Sequence, residues 1–125
     1  MCRNGEISLS RLNDRIAQLL RSGQVAPGQI AVLSGTSGIL TALGEKIAGK
    51  ATCRADDIWP DHIVLDTVRR FKGLSRPCVF LIGIEGLTDP ELVYVATSRA
   101  NVLLEIVGTA EDIARLKQEV DAAGP

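Results

Sequence analysis

Aromatic side chains are scarce in this sequence, with two phenylalanines, one tryptophan and one tyrosine making up 3% of 125 residues. So few rings limit any platform on which nucleic-acid bases could stack to a small one. Long apolar runs are lacking as well, since no stretch approaches the roughly 18 residues that cross a membrane. The first five residues are polar and unlike the apolar part of a secretory signal. We therefore expect a cytoplasmic protein.

Cysteine and histidine are also rare. The three cysteines, Cys2, Cys53 and Cys78, form no C-x-x-C pair, and their odd number indicates reduced thiols rather than a disulfide framework. The single histidine, His62, has no cysteine or second histidine at the spacing of metal ligands. The sequence therefore predicts no metal site.

Neither sign of charge dominates the chain. Fourteen lysines and arginines against fifteen aspartates and glutamates give a net charge of −1. The whole molecule therefore does not attract nucleic acid, and any such binding must come from a local patch. With 46% hydrophobic and 23% charged residues, the composition is that of a globular protein. The length suits one domain with one core of ordinary size.

Short apolar segments alternate with amphipathic ones along the chain. The pattern predicts strands at 30–33, 51–53, 63–65, 79–84 and 102–107, and helices at about 10–22, 38–47, 90–99 and 110–121. We expect Ser8 or Ser10 to cap the first helix, Asp89 the third and Thr109 the last. Because the strands are nearly all apolar, we predict an α/β fold of three layers, with a mainly parallel sheet covered on both faces.

A basic stretch, 66–73, follows the strand at 63–65. Its chemistry-bearing residues are a hydroxyl, three cations and a glycine, namely Thr67, Arg69, Arg70, Lys72 and Gly73. Ligands gather at the carboxyl ends of parallel strands, and the whole stretch is predicted to lie at that edge. From the residues alone, two interpretations stay open: a phosphate-binding loop and a solvated basic loop.

Two other features of the sequence have simpler interpretations. Arg99 lies near the end of a predicted helix, where a lone arginine commonly complements the helix dipole. The pair Asp56-Asp57 is interpreted as part of a solvated loop.

The turn at 35–38, Gly-Thr-Ser-Gly, follows a strand and opens a helix, as a phosphate loop does. It lacks the pattern G-x-x-x-x-G-K-[ST], in which backbone amides hold the phosphates and a lysine and a hydroxyl serve the γ-phosphate and Mg²⁺. No acidic pair follows an apolar strand, because Asp66 stands alone. We expect no nucleotide hydrolysis by this chain alone.

Two longer stretches carry a family likeness. "TVRRFKGLSRPCVFLIGI" resembles motif V of superfamily 1 helicases of the UvrD/Rep type, roughly T-x-H-x-x-K-G-L-E before an apolar strand. "LVYVATSRANVLLEIVG" is similar to their motif VI, roughly L-x-Y-V-A-x-T-R-A before a strand, and "IAVLSGTSGILTALGEKI" is a fainter match to the elements upstream. The resemblance spans about 28–108, with motif V at about 64–84 and motif VI at about 91–107.

This resemblance implies that residues 1–125 are a single RecA-like domain of the P-loop NTPase kind, the second motor domain of a DNA helicase. It further implies ATP and Mg²⁺ as cofactors, held mainly by an N-terminal RecA-like domain of the same parent protein, and single-stranded DNA as a partner. We expect the chain to be a fragment of a compact helicase, since only about a dozen residues, 49–61, lie where larger relatives insert an accessory subdomain.

The resemblance also implies roles for the residues of motif V. Thr67 matches the threonine that contacts the phosphates of the tracked strand, and Arg69 stands where the family usually has histidine. Lys72 and Gly73 match the pair that turns toward the cleft holding ATP. Ser75 stands where relatives have an acidic residue that contacts the nucleotide sugar.

In motif VI, Arg99 matches the arginine that reaches the γ-phosphate of ATP on the other domain, and Tyr94 matches a tyrosine that we expect to pack. One alternative is a RecA-like or Rossmann-like module that binds a nucleotide or a protein partner without hydrolysis. Ser75 and the lack of Walker motifs favour this alternative. Another is a relative that tracks RNA, which the motifs do not distinguish from DNA.

Overall fold

The computed structural model describes residues 3–43, 45–71 and 73–123. In these residues a seven-stranded sheet has the order β1-β7-β6-β2-β5-β4-β3. Its strands are β1 (Arg3–Ile7), β2 (Ile30–Ser34), β3 (Lys46–Ile47), β4 (Lys50–Cys53), β5 (Ile63–Thr67), β6 (Arg76–Ile82) and β7 (Ala100–Val107). Neighbouring strands are parallel except β3 and β4, which are antiparallel. The predicted mainly parallel α/β fold is confirmed.

Helices cover both faces of this sheet, which confirms the three predicted layers. The described helices are α1 (Leu12–Arg21), α2 (Gly38–Leu43), α3 (Pro90–Thr97) and α4 (Ala110–Ala123). Buried residues of α1 and α2 join one apolar cluster, and those of α3 and α4 join the other. No helix in the described ranges has the length and apolarity that crossing a bilayer requires.

Strand β2 shows why its sequence is apolar without alternation. Ile30 and Val32 pack into the cluster under α1 and α2, whereas Ala31 and Leu33 pack into the cluster under α3 and α4. All four residues are completely buried. A central parallel strand has two covered faces, so every one of its side chains is driven out of water.

Strand β1 was not predicted, because its sequence, Arg-Asn-Gly-Glu-Ile, is mostly polar. It pairs in parallel with the far end of β7, where Gly5 lies opposite Glu105. A β-carbon at position 5 would lie 3.2 Å from the Glu105 side chain, so the glycine leaves room for that buried carboxylate. Arg15 of α1 forms an ion pair with Glu105, and Lys117 of α4 forms one with Glu6.

Helix α2 is shorter than predicted. It ends at Leu43, and Ile47, which was expected on its inner face, instead lies buried in β3. Ala48 and Gly49 both have positive φ, 52° and 80°, in the tight turn that joins β3 to β4. Two consecutive left-handed residues match the turn that a two-residue hairpin requires.

The helix caps agree with the prediction at two ends of three. The Asp89 carboxylate accepts a hydrogen bond from the Glu91 amide, 2.9 Å, and the Thr109 hydroxyl accepts one from the Asp112 amide, 3.1 Å. At α1 the prediction was wrong, because a 3₁₀ turn leads into the helix and the Ser8 and Ser10 hydroxyls bond to each other.

Candidate nucleotide and nucleic-acid sites

The basic stretch after β5 crosses from one edge of the sheet to the other. Thr67 ends β5 at the carboxyl edge, where the Val68 amide donates to the Ser34 carbonyl at 2.9 Å. Phe71 is completely buried against α3 and α4, and Ser75 then leads into the amino end of β6. The prediction that the whole stretch lies at the carboxyl edge was therefore wrong for its second half. Burial of the apolar Phe71 side chain in the core directs the backbone away from the carboxyl edge.

Arg99 lies at the amino edge of the sheet, just before β7. Its Nε donates to the Val95 carbonyl at 3.2 Å, one turn back in α3, and one terminal nitrogen lies 3.5 Å from the Leu74 carbonyl. The backbone also connects the two segments, since the Arg76 amide donates to the Arg99 carbonyl at 3.1 Å. The structure thus brings Arg99 together with 73–75, a segment centred 25 residues earlier in the chain, but puts it at the opposite edge from Thr67.

The Arg99 guanidinium is bonded to neutral groups. Besides the two carbonyls, it contacts the Ser98 hydroxyl at 3.3 Å, and among the described residues no carboxylate pairs with it. Its side chain is partly exposed. A guanidinium held by carbonyl dipoles keeps its full positive charge available to an anion.

Gly73 and Ser75 are both exposed beside Arg99. Gly73 has φ of 91°, in the left-handed region, and no atom lies within 4 Å of where its β-carbon would be. The glycine therefore serves the turn and leaves the backbone open to solvent. Ser75 contributes its carbonyl to Arg76 at 2.7 Å. Lys72, predicted to act with Gly73, lies outside the described residues.

The Thr67 hydroxyl caps a single helical turn. It accepts a hydrogen bond from the Arg70 amide at 3.3 Å, while the Thr67 carbonyl accepts one from the Phe71 amide at 3.2 Å. The hydroxyl hydrogen is left for another acceptor, since a hydroxyl both donates and accepts. Thr67 thus has a structural role that is compatible with phosphate contact.

Asp66, the single acidic residue at the end of β5, is buried and hydrogen-bonded. Its side chain is only 3% exposed and accepts three hydrogen bonds: from the Ala55 amide (2.9 Å), the Thr67 amide (2.8 Å) and Arg70 Nε (3.1 Å). These bonds fasten the loop after β4 to the start of the basic stretch. A buried carboxylate is stable here because three donors replace the water that it has lost.

Asp56 also has a partner, although it and Asp57 lie in an exposed loop, as interpreted from the sequence. One Asp56 carboxylate oxygen lies 2.5 Å from a terminal nitrogen of Arg70, and both side chains are more than half exposed. The hydrogen bond that Arg70 donates to Asp56 is the largest cause that raises the pKa of the Arg70 guanidinium, and the negative charges of Asp66 and Asp56 raise it further. Arg70 is therefore held between one buried and one exposed carboxylate.

Comparison with known proteins supports the family resemblance. Residues 62–107 match the UvrD-like helicase C-terminal domain. This match confirms the resemblance to the C-terminal domain of UvrD-type helicases, and it includes both Thr67 and Arg99. The solved C-terminal domain of a possible DNA helicase from Lactobacillus plantarum WCFS1 has a similar fold, with a TM-score of 0.62 at 14% identity over 87% of this chain and 74% of that one. No curated protein shows significant similarity.

Arg69, which the motif V resemblance puts at the usual histidine position, is exposed and lines a cavity of about 200 Å³. Asp89 and Glu91, at the start of α3, line the same cavity. Within the described part of the chain, Arg69 makes no hydrogen bond or ion pair. It therefore differs from Arg70, its neighbour in sequence, which has two carboxylate partners.

Tyr94 does not pack in the way that the resemblance to motif VI led us to expect. Its side chain is 53% exposed on the outer side of α3, while Val93 and Ala96 are buried. The three positions are consistent with a helix that has one covered face, since residues a turn apart share a side. The expectation was wrong because the motif specified a residue type and not the face on which it falls.

The turn at 35–38 packs against neighbouring backbone at its first glycine. A β-carbon on Gly35 would lie 2.6 Å from the Gly83 carbonyl oxygen. The Ser34 hydroxyl donates to the Thr36 carbonyl at 2.5 Å and accepts from the Thr36 amide at 3.0 Å. Gly35 therefore allows a close approach of two backbone segments. Elsewhere in the described ranges, no three acidic, cysteine or histidine side chains gather as metal ligands would.

Proposed function

We propose that residues 1–125 form the second RecA-like motor domain of a cytoplasmic, ATP-dependent helicase or translocase that tracks single-stranded DNA. The observation that carries the proposal is the contact between Arg99 and Leu74, which brings the motif VI arginine beside the motif V residues Gly73 and Ser75. Two separate matches to one family, lying side by side at one edge of the sheet, support a shared site there.

Arg99 is proposed to stabilise the γ-phosphate of ATP during hydrolysis. Phosphoryl transfer spreads negative charge over the γ-phosphoryl oxygens, and an arginine from a second domain accelerates it by about 10³ to 10⁵-fold. The carbonyls of Val95 and Leu74 hold Arg99 without neutralising it. When Arg99 leaves these two neutral acceptors for a phosphate, it gains a stronger, charge-assisted hydrogen bond. This contact requires the two domains to close on ATP, so hydrolysis depends on closure of the cleft.

ATP and Mg²⁺ are proposed to bind mainly to an N-terminal RecA-like domain of the parent protein, with Lys72, Gly73 and Ser75 lining the facing side. The exposed backbone at Gly73 fits this role, because nothing fills the space above its α-carbon. Ser75 offers a neutral hydroxyl where relatives have a carboxylate. It can donate or accept a hydrogen bond with the nucleotide sugar, and its contact is weaker than that of a charged group.

Thr67 and Arg69 are proposed to contact phosphates of the DNA strand at the carboxyl edge. Phosphate contacts position a protein without reading sequence, as a translocase requires. The nucleotide side and the DNA side of this domain then lie at opposite edges of one sheet, joined by the buried crossing at Phe71. Closure of the cleft on ATP would move the sheet as one body and displace the bound strand with it.

The test is an Arg99→Ala substitution in the native gene product. Because the arginine acts only on the transferred phosphate, DNA-stimulated ATP hydrolysis should fall by about 10³-fold, while the affinity for single-stranded DNA stays within a factor of two. The measurement is steady-state ATP turnover with and without an oligonucleotide, beside an anisotropy titration.

Arg21→Ala is the matched control. Arg21 is exposed at the end of α1 and makes no hydrogen bond or ion pair within the described residues, so its loss changes charge by the same amount. Turnover in the control should equal that of the native protein. Normal hydrolysis by the Arg99→Ala protein would exclude the proposed role of Arg99.

A second candidate function, a binding or protein-interaction module without hydrolysis, is favoured by one observation. Ile58 and Trp59, adjacent in the loop between β4 and β5, are 45% and 56% exposed. Exposed large apolar side chains side by side are typical of interaction surfaces. Absence of ATP turnover in the native gene product, together with tight binding of a protein partner that Trp59→Ala abolishes, would support this candidate over the motor domain.

A further inference from the structure

Arg70 has one exchangeable carboxylate partner and one fixed partner. Asp66 is fixed, because it is buried and accepts two backbone amides as well as Arg70 Nε. Asp56 is 69% exposed, and its ion pair with Arg70 is its only side-chain contact among the described residues. Exposed ion pairs contribute little free energy because water competes for both partners. An external anion can therefore take the place of Asp56 at small cost.

The geometry around Arg70 suits a backbone phosphate. The guanidinium is 52% exposed, and Asp56 contacts a terminal nitrogen, whereas the buried Asp66 contacts Nε. The Thr67 hydroxyl is held close by, since it accepts the Arg70 amide at 3.3 Å and still has a hydrogen to donate. A planar guanidinium beside a hydroxyl is a donor set for phosphate oxygens, and a carboxylate binds the same guanidinium edge that a phosphate would.

We propose that Arg70 is a phosphate-binding residue and that the Asp56 carboxylate occupies its binding edge until a phosphate of single-stranded DNA displaces it. This inference rests on the proposed function. It adds Arg70 to Thr67 and Arg69 as a third residue that contacts a DNA phosphate, and it makes Asp56 a competitor for that phosphate. The displaced Asp56 attracts a cation from solution, which offsets the cation released from the DNA phosphate. Arg70 therefore adds almost nothing to the salt dependence of binding in the native chain.

The test is an Asp56→Asn substitution in the 125-residue chain. Without the competing charge, affinity for a fluorescein-labelled oligothymidylate should rise about fivefold at low salt. The slope of log affinity against log salt should steepen by about 0.7, the value of one phosphate in a single strand. Anisotropy titrations over a series of sodium chloride concentrations measure both quantities.

Asp57→Asn is the matched control, because it removes the same charge one position away from a side chain that forms no ion pair in the described ranges. Its affinity should stay within twofold and its slope unchanged. Adding Arg70→Gln to Asp56→Asn should abolish the gain. If Asp56→Asn behaves like Asp57→Asn, or if the gain survives Arg70→Gln, the inference is wrong.

Arg69→Ala separates this outcome from failure of the proposed function. Weaker binding by Arg69→Ala, together with equal affinities of Asp56→Asn and Asp57→Asn, would support the DNA-contact role of this surface. It would overturn only the proposed role of Arg70. If neither the native chain nor any variant binds the oligonucleotide even at the lowest salt, the DNA-contact role and the Arg70 inference both fall.

Discussion

Arg69, Arg70 and Arg99 differ in their hydrogen-bond and ion-pair partners. These partners decide how readily each guanidinium can bind a phosphate. Arg99 is bonded to carbonyls, Arg70 to two carboxylates, and Arg69 to none of the described residues. The sequence identified Arg69 and Arg99 by their positions in motifs. It could not identify the state of Arg70, because Asp56 comes fourteen residues earlier and meets it only through the folding of the loop after β4.

At the same scale, Thr67 combines a structural and a proposed binding role, and substitutions can separate them. Thr67→Val removes the acceptor of the Arg70 amide and should lower the free energy of unfolding by about 1 kcal/mol. It should also weaken oligonucleotide binding several-fold, because the donated hydrogen is lost. Urea denaturation and anisotropy titration measure the two effects.

Thr67→Ser keeps the hydroxyl and should retain both properties. A valine variant that loses stability, yet binds the oligonucleotide like the native chain once folded, would show that the threonine only caps the turn.

At the scale of elements, apolar strands and helix caps were predictable, whereas the segments that depend on a distant partner were not. β2 and β5 are made mostly of apolar residues, so their burial could be predicted from their own sequences. β1 is polar and becomes a strand only because the end of β7 offers it an unpaired edge. The sequence does contain an indication that 67–75 crosses the core. Val68 and Phe71 are apolar residues one helical turn apart within a basic stretch, and both are buried.

Helix α3 connects the two candidate sites, so its amino-terminal cap deserves a test. Asp89→Ala leaves the Glu91 amide without its acceptor and should lower the free energy of unfolding by about 1 kcal/mol. Thr88→Ala, an exposed change one residue earlier, should cost less than about 0.5 kcal/mol. Thermal or urea denaturation of the pair compares them. Equal stabilities would mean that the cap contributes nothing to α3.

At the scale of the whole molecule, one continuous sheet separates the two candidate sites. Thr67 lies where β5 ends, and Arg99 lies where β7 begins. The motif sequences do not reveal this arrangement, because the chain crosses back from the carboxyl edge to the amino edge between 67 and 75, within motif V. The fold class and the family resemblance were predictable, while the positions of the sites relative to one another required the topology.

The ion pair between Arg15 and Glu105 is a test of the layer packing, because it connects α1 to β7 across one face of the sheet. Arg15→Met leaves a carboxylate that is 4% exposed without its cation, and should lower the free energy of unfolding by about 2–3 kcal/mol. Adding Glu105→Gln should restore most of this loss, since the buried charge is then removed. Urea denaturation of the single and double variants measures the coupling.

Arg11→Met provides the control, because Arg11 is exposed and forms no ion pair within the described residues. If the single Arg15 variant is as stable as this control, the ion pair does not hold the layers together.

The pairing of β1 with β7 also has a consequence for the order in which the chain can fold during synthesis. Arg3 lies opposite Leu103 and Ile7 opposite Val107, so β1 leaves the ribosome long before β7, the strand with which it pairs. Until then its backbone donors and acceptors are satisfied by water alone. A polar strand tolerates that delay, whereas an apolar one would be exposed to aggregation throughout translation. The unremarkable sequence Arg-Asn-Gly-Glu-Ile is thus suited to the long interval before its partner is made.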